Sequence, residues 1–124
     1  WTEGSWLERR AVVAALCEPA LLRDAKHARS VLDVLDVITR SVAEATPQAR
    51  RDPDYRVLRQ ALGYGWSVAM VALPDEGKFR LGRWLASQDS DVRWIVRENL
   101  RKNRLKRLDP AWVARHSDSL DLGY

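Results

Sequence analysis

The chain has 124 residues, 46% of them hydrophobic and 31% charged, with a formal net charge of +4. This fits one domain, residues 1–124, able to bury a modest core of its own. A single cysteine, Cys17, excludes an intrachain disulfide and a cysteine-based metal cluster, and only 6 glycines and 5 prolines argue against a turn-rich β-sandwich.

The first helix is expected from Ser5 to Glu18, ended by Pro19, with Ser5 and Glu8 in capping-box spacing. A second runs from about Asp24 to Ala45, because Ala28, Val31, Leu32, Leu35, Ile38 and Val42 recur at helical spacing. Residues 46–54, holding Pro47 and Pro53, read as a linker. A third helix starts near Pro53, a good first-turn residue, and reaches Leu73. Its Gly63 and Gly65 are read as points of close helix approach, since no phosphate-loop pattern surrounds them. A fourth helix opens at Pro74 with Asp75 and Glu76 and ends near Ser87. A fifth is expected as one continuous helix from Asp89 to Leu108, and a short sixth follows Asp109-Pro110, with a fraying polar tail after Ser117.

Charge is uneven along the chain. Residues 1–77 carry 10 basic and 11 acidic side chains, whereas residues 78–107 carry 10 and 3. A basic field of that kind attracts acidic proteins, nucleic acid or anionic surfaces. The longest weakly polar run, Ala61 to Leu73, is too short to span a bilayer. No basic and apolar leader pattern is visible, and a reducing, cytoplasmic location is the expectation.

Helices one and five overlay so that Arg9 meets Arg93, Val12 meets Val96 and Leu16 meets Leu100. The segment Ser87–Leu100, S-x-D-x-D-V-R-x-x-V-x-x-N-L, resembles the second-helix signature of HEAT-like repeats. The resemblance implies an all-α, α-α superhelix of about three antiparallel helix pairs, helices 1–2, 3–4 and 5–6, that can stand inside a longer array. It also implies that Asp89 or Asp91 pairs with Arg93 across adjacent repeats.

Projected at about 100° per residue, helix five sets Val92, Ile95, Val96, Asn99 and Leu100 on one face. Arg93, Arg97, Arg101 and Arg104 form a ridge beside it, and Trp94 and Leu105 fall beyond that ridge. With Arg80, Arg83 and Trp84 as neighbours, this ridge is the expected contact surface, either for an acidic protein partner or for nucleic acid. Solvation and repeat-to-repeat packing are the competing roles for the same residues. Asn99, an amide on an apolar face, needs partners, and bonding a turn or loop is the favoured account.

Chemistry is thinly supported. His27 and His116 are isolated, so no metal site or cofactor is expected. Asp33 and Asp36 form a close carboxylate pair, with Arg40 one turn on as an ion-pair partner. The run Trp6-Leu-Glu-Arg-Arg-Ala-Val-Val resembles the helix openings of HEAT-like DNA glycosylases, which excise alkylated bases. That resemblance implies an aspartate one turn after a tryptophan; the nearest local match here is Trp94 and Glu98, with glutamate instead. A non-enzymatic binding or scaffolding module for an acidic protein partner is therefore the expected function, with a nucleic-acid-binding protein, including a glycosylase-like enzyme, as the alternative.

Overall fold

A computed structural model describes residues 4–18 and 22–122, the last two by backbone alone. Among the described residues there are seven α-helices and no strand: α1 (Trp6–Leu16), α2 (Ala25–Ala43), α3 (Pro53–Ala72), α4 (Pro74–Trp84), α5 (Ser90–Leu100), α6 (Asn103–Leu108) and α7 (Pro110–Leu122). A 3-10 turn, Ala49–Arg51, precedes α3. None of these helices is long and apolar enough to cross a membrane. Pro19, expected to end the first helix, lies outside the described residues.

Local chemistry accounts for most helix starts. Ser5 and Glu8 close the full capping box of α1, each side chain meeting the other's backbone N–H. Asp24, Asp52 and Asp89 cap α2, α3 and α5 by accepting the N–H groups that a first helical turn leaves unbonded. The apolar stripe of α2 is buried as its spacing predicts: Ala28, Val31, Leu32, Leu35, Ile38 and Val42 are all essentially inaccessible. Each such aliphatic side chain contributes about 1.5–3 kcal/mol when fully buried.

Three expectations need correction. The continuous fifth helix is broken: α5 ends at Leu100, Lys102 is extended (φ −72°, ψ 134°), and α6 restarts at Asn103. The cause is Leu105, which an unbroken helix would hold well away from the Leu100 face; the break turns it into the core, where it is 1% exposed. The polar tail does not fray after Ser117, because α7 continues to Leu122 and Leu120 is buried. Nor is 46–54 a free linker. Arg50 donates to the carbonyls of Val42, Ala43 and Ala45 and so ties the end of α2 to the entry of α3.

The packing is organised around α3, which touches α1, α2, α4, α5 and α6. Contacts between alternate helices rise together along the chain. Trp6 meets Tyr55 and Val13 meets Gly65, so α1 runs parallel to α3. Tyr55 meets Asp91 and Ser67 meets Asn99, so α3 runs parallel to α5. Asp33 meets Arg80 and Asp36 meets Trp84, so α2 runs parallel to α4. The result is one layer of α1, α3 and α5 backed by α2 and α4.

Gly63 and Gly65 are the close-approach points expected of them. An added Cβ at Gly63 would lie 3.1 Å from the Trp94 ring, and one at Gly65 would lie 2.9 Å from Val13. Trp66 is fully buried, and its Nε1–H donates to Thr39 Oγ1 at 3.0 Å. Asn99 bonds neither a turn nor a loop: it grips the middle of α3, accepting from the Ser67 N–H and donating to Leu62 O, each at 2.8 Å. Cys17 is a buried core residue, and burial pushes its thiol up to about 12.

Candidate functional site

Helix α3 is apolar on nearly every side, yet Arg56, Gln60 and Tyr64, each one turn apart, are exposed. This stripe, with exposed Val57 beside it and Val71 beyond, is where α3 meets solvent between α1 and α5. Two clefts flank it. The larger, about 430 Å³, is lined by Arg50, Tyr55, Arg56, Arg59, Gln60 and Asp91. The smaller, about 210 Å³, is lined by Arg10, Val57, Gln60, Ala61 and Tyr64. Gln60 borders both.

The wall of the larger cleft is a fixed charge network. Arg50 Nη1 lies 2.7 Å from Asp89 and 3.1 Å from Asp91. The Tyr55 hydroxyl donates to Asp91 at 2.6 Å, and Arg59 Nε lies 2.8 Å from the other Asp91 oxygen. Burial alone would raise the Asp91 carboxyl, but the Tyr55 hydrogen bond and the Arg59 and Arg50 charges outweigh it and hold the group below the usual carboxylate range. Burial, then the bond to Asp91, pushes the Tyr55 phenol up, so it stays a donor. The Arg59 guanidinium is laid over the Trp94 ring, 3.8 Å from its centroid. Trp94 in turn rests on the bare backbone of Gly63.

The predicted residues separate into two groups. On α5, Trp94 is partly buried against α3 rather than free, and Arg101 makes an exposed ion pair with Glu98 at 3.0 Å. Arg97 sits one turn from both, its Nε enclosed and without a hydrogen-bond partner among the described residues. Beyond the break, Arg104 reaches back to Ser67 Oγ at 2.8 Å and so borders the end of the α3 stripe. Arg93 turns the other way and donates to Leu120 O. The cross-helix pairing expected for Arg93 is made instead by Arg50, which takes both Asp89 and Asp91.

Arg80, Arg83 and Trp84 lie on the α2–α4 layer and converge on Asp36. Trp84 Nε1 donates to it at 2.9 Å, Arg80 at 3.1 Å and Arg83 at 3.4 Å. Arg80 also holds Asp33 and Glu76. The two carboxylates, expected to pair with Arg40 along their own helix, thus bind across to α4.

Sequence reasoning missed Arg56, Arg59, Gln60 and Tyr64 on α3. The readable signal was their spacing, a lone polar stripe on a helix otherwise buried all round. Among the described residues, no group of three or more His, Cys, Asp or Glu side chains is placed to hold a metal ion. No protein-family model matches the chain, and no curated protein and no solved structure matches it either.

Proposed function

We propose that the chain is a HEAT-like α-α superhelical binding module whose α1/α3/α5 face holds an acidic segment of a partner protein. The parallel run of α1, α3 and α5, backed by the parallel pair α2 and α4, supports the superhelical reading. Support for the partner class comes from one observation: Arg10 and Arg56 have no carboxylate partner among the described residues and flank exposed Val57 and Tyr64. Cations alternating with apolar and amide groups, and with Asp91 and Glu98 nearby, suit a peptide of mixed acidic and apolar side chains. A phosphodiester chain, with charge at every step, would meet those two carboxylates as well as the arginines. Arg97, Arg101 and Arg104 extend the basic rim, with Trp94 as its packed base.

The test is fluorescence anisotropy with a glutamate-rich peptide, a DNA duplex and a DNA single strand over a salt series. The peptide is expected to bind most tightly, and more weakly as salt rises. Arg56→Gln with Arg97→Gln should weaken it by about tenfold, since two rim charges together supply roughly 1–1.5 kcal/mol. Tighter binding of either DNA would overturn the partner class, and no binding at low salt would overturn the module.

A further inference from the structure

The two clefts differ in chemistry, and their spacing carries a recognition rule. The larger one presents Arg50, Arg56 and Arg59 against Asp91, with Asp89 taken up by Arg50, which leaves a surplus of one positive charge. That balance matches one carboxylate. Arg59 is held in place before any ligand arrives, by Asp91 at its Nε and by Trp94 beneath its plane. Its two Nη nitrogens make no hydrogen bond or ion pair among the described residues. A fork fixed in this way loses little freedom when it grips a carboxylate. The smaller cleft offers apolar surface instead, with Val57 36% and Tyr64 38% exposed and Ala61 at its floor.

The centres of the clefts are displaced by about three residues along α3, or roughly 4.5 Å at the helical rise, and lie on the two sides of its exposed stripe, with Gln60 between them. Crossing the stripe, about 120° around a helix of roughly 5–6 Å radius, adds roughly 9–10 Å, so the separation is roughly 10–11 Å. A polyproline-like segment advances about 3.1 Å per residue with three residues per turn, so residues three apart share a face about 9.3 Å apart. We infer that the face reads an acidic side chain and an apolar side chain three positions apart in an extended peptide, the acid on Arg56 and Arg59 and the apolar group on Val57 and Tyr64. This rests on the acidic-segment reading and narrows it to a motif.

The experiment measures the binding of four short labelled peptides of equal charge. Two place Glu and Leu three apart, in either order, around a Pro-Pro spacer; one has Ser in place of Leu; one has Leu adjacent to Glu. The better of the two spaced peptides is expected to bind about tenfold more tightly than the Ser peptide, the worth of burying much of one leucine. Val57→Ser should bring those two to parity, and Arg56→Gln should weaken all four. Both residues are exposed, and an unchanged melting temperature confirms that the variants fold. If the Ser or the adjacent-Leu peptide binds as well as the spaced ones, the motif is overturned while the acidic-segment reading stands. If no acidic peptide binds, both fall.

Discussion

Asn99 and Ser67 are joined across two helices: the Asn99 amide oxygen accepts the Ser67 backbone N–H at 2.8 Å, in a wholly buried position. The same amide's nitrogen donates to Leu62 O and to Ile95 O, so both of its donors and its oxygen are engaged between α3 and α5. Asn99→Leu keeps the volume and removes these partners. Stranding buried backbone groups costs about 1–3 kcal/mol each. The variant should lose about 3 kcal/mol, read as a fall in melting temperature of roughly 10 °C. A fall of a degree or two would show that the amide adds little.

Two glycines should respond to alanine with opposite signs. At Gly82 in α4 an added Cβ meets nothing within 4 Å, so Gly82→Ala should stabilise by about 0.5–1 kcal/mol through helix propensity and a less free unfolded chain. At Gly65 the new Cβ would lie 2.9 Å from Val13, a stiff β-branched side chain. Gly65→Ala should destabilise by about 1–3 kcal/mol as α1 is pushed off α3. Urea denaturation of both variants measures the contrast.

Acid should act through Asp91. Its folded pKa is depressed, so its contribution is fully present above the unfolded value of about 4 and is lost as pH falls through the lower folded value. Melting temperature should therefore drop below about pH 4. Asp91→Asn should be less stable at neutral pH and should lose less on acidification. Parallel pH profiles for the two proteins would remove Asp91 as the source.

The carboxylate at position 36 is the anchor of the second layer. Asp36→Ala leaves Trp84 Nε1 without its acceptor and takes one of three carboxylates from the mostly enclosed Arg80, which keeps Asp33 and Glu76, and should cost about 1–2 kcal/mol. Arg83, whose side chain is 59% exposed, should change stability by less than about 0.5 kcal/mol when replaced by alanine. Equal effects in chemical denaturation would contradict the geometry.

What could be read along the chain was what depends on near neighbours. The α2 stripe, the Ser5–Glu8 box, Pro53 at a helix start and the two close-packing glycines all follow from spacing within one element. The break after Leu100 was hidden because Arg101 to Arg107, Asn103 apart, are good helix formers; the phase of Leu105 betrays it. Arg50 and Asp91, or Arg80 and Asp36, lie more than 40 residues apart, and nothing local marks such partners. The arginines of α5 were visible as a ridge, but the surface they border is set by α3. A helix that is mostly core hides its one outward stripe among apolar residues.

The central place of α3 bears on how the molecule comes apart. Linear repeat arrays unzip from an end, since each unit answers only to its neighbours. Here α1, α2, α4, α5 and α6 all rest on α3, and removing any of them uncovers it. The backbone amides from Leu58 to Met70 are thereby placed to exchange with solvent only when the whole molecule opens. Unfolding becomes a single event, and the exposed stripe of Arg56, Gln60 and Tyr64 rides on the last segment to let go.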